Sequence, residues 1–130
     1  MKIKILFFIF SIFFIVESCT KDSIEVIITP PLPVNTSVKF STDVYPIFAN
    51  HGCTACHNPS GSAGSYVILS GNASVVRGNL LSSGAVVANN PTGSKLYTKF
   101  ANGTAHNGLT LSTNEQNNIK SWINLGALDN

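Results

Sequence analysis

Hydrophobic positions occur along this chain in two different patterns. From Ile3 to Val16 they are continuous, with 12 of 14 residues Ile, Leu, Phe or Val. Further on they are sparse and periodic. Val44, Ile47 and Phe48 recur at helical spacing behind Ser41 and Thr42, either of which is a suitable N-cap, and Pro46 fits such a helix only in its first turn. Ser112-Thr113-Asn114-Glu115 has the Ser-x-x-Glu form of a capping box. Ile119, Trp122 and Ile123 come next at helical spacing, and Gly126 stands where a left-handed residue ends a helix. A short third helix is expected around Ser94–Phe100, after Asn90-Pro91, carrying Leu96, Tyr97 and Phe100. Between Gly61 and Ala88, Tyr66–Leu69 and Ala85–Val87 read as short strands or loop walls, and Asn72–Val76 as a helical turn. Packing the first helix against the last accounts for both apolar stripes and puts Trp122 in their contact. The pattern predicts a mostly α domain.

The continuous run reads as an address. Lys2 and Lys4 supply a positive start, and the 12 residues from Ile5 to Val16 are too few to cross a bilayer core, which takes roughly 20. The run ends Val16-Glu17-Ser18-Cys19, which resembles the lipobox of bacterial lipoproteins. That resemblance implies a signal peptide over 1–18, cleavage before Cys19 and acylation of its thiol, the alternative being ordinary secretion with Cys19 free. Several acyl chains anchor a protein firmly, at about 0.8 kcal/mol per buried CH₂. Cys19-Thr20-Lys21-Asp22 has no Asp directly after the Cys, which by the same resemblance favours the outer membrane. The Lys21-Asp22 pair leaves both a periplasm-facing and a surface-exposed location open. Residues 19–37 then form a tether, stiffened by Pro30, Pro31 and Pro33.

Residues 38–130 read as one small domain. All ten glycines lie beyond residue 50, and only 11% of the chain is charged. Once 1–18 are removed, six Lys/Arg face five Asp/Glu. Such a balance argues against a nucleic-acid partner, which requires a concentrated basic face. Small, polar domains are marginal without a covalent or metal staple.

His51-Gly52-Cys53-Thr54-Ala55-Cys56-His57 contains Cys-x-x-Cys-His, the attachment signature of c-type haem. Two thiols three positions apart on a helical turn reach two vinyl groups on one porphyrin edge, and the adjacent His57 places an imidazole under the iron. Cys53 and Cys56 are the expected thioether positions, His57 the proximal ligand and haem c the cofactor. Three alternatives compete with this reading. A thioredoxin-like dithiol belongs in a βαβ pattern that is absent here. A zinc site needs four ligands, and apart from the motif and His51 only His106 is on offer. A Cys53–Cys56 disulfide closes too short a loop to stabilise much. The sixth iron ligand of such proteins is usually Met or His, and the only Met is Met1. His106, 49 residues beyond His57 in what reads as a flexible loop from Asn102 to Gly108, is the expected distal ligand, the alternatives being an open or water-bound iron or a Lys or Asn ligand. His51, on the proximal side, reads as an exposed or hydrogen-bonded surface residue.

Asp43-Val44-Tyr45-Pro46-Ile47-Phe48 leading into the haem motif, and Leu109-Thr110-Leu111-Ser112 leading into Ile119–Ala127, resemble the small monohaem cytochrome c-like domain first noted in planctomycete proteins. The resemblance covers about residues 40–128 and implies a class I-like cytochrome c fold wrapped around one covalent haem. Where that family commonly carries its ligand Met, this chain has Ala105-His106-Asn107. The function implied is one-electron transfer outside the cytoplasm between redox partner proteins, rather than catalysis. The alternative is a peroxidase-like haem enzyme or ligand sensor with an open distal site.

Overall fold

The computed structural model describes residues 37–130. The signal segment, Cys19 and the proline-rich tether lie outside the described residues. A π-helical turn, Phe40–Val44, runs directly into α1, Tyr45–Asn50. A 3-10 turn at Cys53–Ala55 comes next, then α2 (Ala73–Ser82), α3 (Lys95–Thr98) and α4 (Thr113–Asn124). The domain is mostly helical. Among the described residues no β-strand forms, and the single β-bridge joins His106 to Leu109. No described helix is long and apolar enough to cross a membrane.

The first helix starts earlier than its sequence suggests. Neither Ser41 nor Thr42 caps it; Lys39 does, and its N–H donates to Asp43 Oδ2 at 2.7 Å. The other orphan donors are met from the far end of the domain. Phe40 N–H donates to Asn130 Oδ1 at 2.8 Å, and Ser41 N–H and Oγ both donate to the Asn130 carbonyl. The π-turn adjoins Pro46, which has no N–H to continue the i→i−4 ladder. The Tyr45 N–H reaches back five residues to Phe40 O instead.

α4 forms as its sequence predicts. Ser112 Oγ accepts from Glu115 N–H at 3.3 Å, and Glu115 Oε2 accepts from Ser112 N–H at 2.8 Å. Gly126 closes the helix at φ 91°. Its apolar stripe, Ile119, Trp122 and Ile123, is buried against Phe40 and Val44, with the Phe40 and Trp122 rings 4.7 Å apart. Trp122 Nε1–H donates to Leu128 O at 2.9 Å, so its one polar atom is satisfied. Val76 and Leu80 of α2 join this core, and Arg77 Nε donates to Ala127 O at 2.6 Å. α2 is longer than the turn expected at Asn72–Val76, and Tyr66–Leu69 and Ala85–Val87 are loop walls. Buried Ser94 pins the second wall to the start of α3: its Oγ accepts from Val87 N–H at 2.9 Å and donates to Asn90 O at 2.8 Å.

Candidate functional site

The haem-motif residues leave the core on a sharp reversal. α1 ends at His51, and Gly52 adopts φ 64°, the left-handed conformation that glycine takes without penalty. This turns the chain into Cys53–Ala55. Cys53 is half-buried against the core, Cys56 is exposed, and the two are not joined to each other. Burial pushes the Cys53 thiol above its ordinary value; its own backbone N–H opposes this, and Cys56 adds to it. A redox-active dithiol needs a depressed thiol pKa, so the direction of this shift counts against that alternative.

His57 is held by a backbone lock. Its Nδ1 lies 3.0 Å from the Val67 carbonyl, and its own carbonyl accepts Leu69 N–H at 2.8 Å. A carbonyl only accepts, so Nδ1 carries a proton, and in the neutral ring Nε2 keeps its lone pair. This is how ligating histidines are oriented and made more basic. The lock is braced from α2, where Asn79 Nδ2 donates to Ile68 O at 3.0 Å. The intervening loop is tightly folded: Ala63 N–H donates to Cys56 O, and a methyl added at Gly61 or Gly64 would overlap the Cys56 or Asn58 carbonyl.

His106 sits on a hydrogen-bonded turn. Its N–H and carbonyl pair with the carbonyl and N–H of Leu109 at 2.9 and 3.0 Å, across Asn107 (φ 50°) and Gly108 (φ 80°). Positive φ at both central residues defines a type I′ turn, for which Asn-Gly is the favoured pair. A second such pair, Asn102 (φ 57°) and Gly103 (φ 74°), closes the preceding turn, where Thr104 N–H donates to Ala101 O at 3.2 Å. Both Asn-Gly pairs are visible in the sequence and mark the segment as two successive turns. Phe100 stands edge-on to the His106 ring at 5.9 Å.

These two turns bring His106 to His57, with ring centroids 6.1 Å apart and planes 37° apart. Two metal–imidazole bonds of about 2 Å each, plus two ring radii of about 1.1 Å, sum to about 6.2 Å. Aromatic pairs without a metal also occur at this separation; the free Nε2 of His57 is what favours the ligand interpretation. The centroid spacing therefore matches that of two imidazoles sharing one iron. A porphyrin supplies four further nitrogens, so the protein must contribute only two. Zinc asks more, and among the described residues no group of three or more His, Cys, Asp or Glu side chains gathers at one point.

His51 makes a specific contact: its Nε2 lies 2.7 Å from Glu115 Oε1, and both side chains are 24% exposed. Partial burial pushes the Glu115 carboxyl up. Hydrogen bonds from Ser112 and His51, with the His51 charge, outweigh this and hold it below the ordinary carboxylate value. Beside the distal turns a cleft of about 700 Å³ is bounded by Tyr97, Asn102, Gly103, Leu111 and the first turns of α4. It is separate from Cys53, Cys56, His57 and His106. The chain's one arginine, Arg77, is engaged with Ala127 O in the α2 contact.

No family model, curated protein or solved structure matches the chain. Its likeness to the planctomycete-type domain rests on its motif residues alone.

Proposed function

We propose that this domain is a monohaem cytochrome c, an electron carrier of the class I-like type, tethered outside the cytoplasm through lipidated Cys19. The observation that carries the proposal is the His57–His106 pair: two imidazoles 6.1 Å apart, one with its Nδ1 proton already committed to Val67 O. Cys53 and Cys56 would hold the haem through thioethers, each thiol adding across one vinyl double bond without net oxidation. Haem would supply a reversible one-electron iron couple.

The chain's own residues set the conditions for that couple. The Val67 carbonyl keeps His57 in the tautomer that offers Nε2. The Asn107-Gly108 turn holds His106 without large reorganisation, which suits a carrier that must change oxidation state with little movement. A second imidazole in place of Met favours a lower potential than His/Met ligation. Donor and acceptor would be redox proteins reached by diffusion, with little electrostatic steering from so weakly charged a surface.

The test is expression of the full chain with cytochrome maturation factors. One covalent haem by mass and haemochrome assay, a low-spin bis-imidazole EPR signal, and a high-spin signal in His106→Ala are expected. A colourless product refutes the haem, and an unchanged low-spin spectrum in His106→Ala refutes the distal ligand. Wild type should incorporate labelled fatty acid and Cys19→Ala should not, and equal incorporation in both, or none in wild type, would refute the anchor.

A further inference from the structure

Glu115 does more than a helix cap requires. A capping box uses one carboxylate oxygen, and here Oε2 fulfils that role, accepting from both Ser112 N–H and Ser112 Oγ at 2.8 Å. The other oxygen, Oε1, reaches across 64 residues of sequence to His51 Nε2 at 2.7 Å. One carboxylate thus joins two segments. His51 ends α1 and precedes Cys53 by two residues. Ser112 comes directly after buried Leu111, and Leu109 closes the turn that carries His106. The second joint is reinforced by Gln116 Nε2, which donates to Leu111 O at 2.8 Å. From His51 through Glu115, Ser112 and Leu109 to His106, each step is a short contact or a few bonds of backbone. The polar side chains bonded to Glu115 are His51 and Ser112.

We propose that Glu115 is a positioning residue for the two axial imidazoles, a strut that ties the His57 segment to the His106 segment and so restrains His106 from leaving the iron. This rests on the haem reading proposed for the domain. The strut touches neither the haem nor the reacting atoms; it acts through the backbone on either side. Without it the Asn107-Gly108 turn keeps its shape but loses its tether to the proximal half, and His106 detaches more often.

The test uses full-length holoprotein and cyanide as the probe, because cyanide binds ferric iron only after His106 has left it. Glu115→Ala and His51→Ala should each accelerate cyanide binding about tenfold, equivalent to about 1.4 kcal/mol. The double variant should be no faster than either single one, since both remove the same contact. Glu115→Gln keeps a single oxygen acceptor, enough for Ser112 or for His51 but not for both, and should accelerate cyanide binding less than Glu115→Ala. His51→Ala leaves the capping box intact and carries the test if Glu115→Ala does not fold. A merely structural role would lower the unfolding midpoint without changing cyanide binding or the EPR g-values. Haem-loaded His51→Ala and Glu115→Ala proteins that bind cyanide within twofold of wild type overturn the strut and leave the haem reading standing. Failure of every form, wild type included, to take up haem overturns both.

Discussion

Gly108 and Gly78 offer a matched perturbation, because the same added methyl should act with opposite sign at the two positions. Neither glycine has another atom within 4 Å of the position a Cβ would take, so collision plays no part at either site. What differs is the backbone. Gly108 sits at φ 80° in the turn that holds His106, where an L-residue costs about 1–2 kcal/mol. Gly78 lies inside α2, where glycine is worse than alanine by about 0.5–1 kcal/mol. Gly108→Ala should therefore destabilise and Gly78→Ala stabilise, a spread of about 1.5–3 kcal/mol. In a domain of this size each kcal/mol moves the melting temperature by about 4–8 °C. The assay is urea unfolding of the full chain, read as a change in midpoint at constant slope. Shifts of the same sign, or a Gly108→Ala protein as stable as wild type, would refute the type I′ turn and with it the fixed placement of His106.

Ser94→Ala should cost about 0.5–1.5 kcal/mol, because the buried Ser94 hydroxyl no longer bonds Val87 N–H and Asn90 O, and an unchanged urea midpoint would contradict that. Glu115 has its carboxyl lowered on folding, so its contribution is fully present above the unfolded value of 4.5 and is lost as pH falls through the lower folded value. Urea midpoints should therefore fall more steeply below pH 4.5 in wild type than in Glu115→Gln, and parallel profiles would count against the shift. Gly61→Ala should destabilise by about 1–3 kcal/mol through overlap with the Cys56 carbonyl, and it should lower haem content per chain in the same preparation. In the haem-free Cys53→Ala/Cys56→Ala chain, amides of α2 and α4 should stay protected from hydrogen exchange while those of 51–66 and 101–110 exchange quickly. Uniform protection would contradict that division.

The parts of this molecule that are legible in the sequence are those whose partners are local. Ser112, Glu115 and Gly126 delimit α4 because caps act within one turn, and Ile119, Trp122 and Ile123 declare its buried face. The start of the first helix is not legible, since its donors are satisfied by Asn130, 90 residues from Phe40. α2 reads as a single turn because Gly78 and two serines weaken its helical signature; Val76 and Leu80, four apart and both buried, are the available clue. Within the candidate site the residue types are legible and their fixings are not. His57 is oriented by a main-chain carbonyl, and a carbonyl has no residue signature. The turn that carries His106 is written in Asn107-Gly108. The reach of Glu115 to His51 cannot be read, because the capping box already accounts for the glutamate.

Burial along the described chain separates two kinds of structure. Every buried residue lies in 38–48, 69–100 or 111–127, and none lies in 49–68 or 101–110, the two segments that carry Cys53, Cys56, His57 and His106. The core made by the π-turn, α1, α2 and α4 thus sits beside the site rather than beneath it. The site segments are shaped by backbone hydrogen bonds, by glycines too crowded to carry a side chain and by turns that only Asn-Gly forms readily. Such segments bury little apolar area to offset the entropy of ordering them, about 1–2 kcal/mol per residue. A flat apolar group bonded through two sulfurs and gripped by two imidazoles would add apolar contact where these segments supply little beyond Cys53, Val67 and Leu109. On that argument the polar, glycine-rich composition around the motif is a consequence of where the proposed haem sits, and the separate core explains how the rest of the domain holds its shape without it.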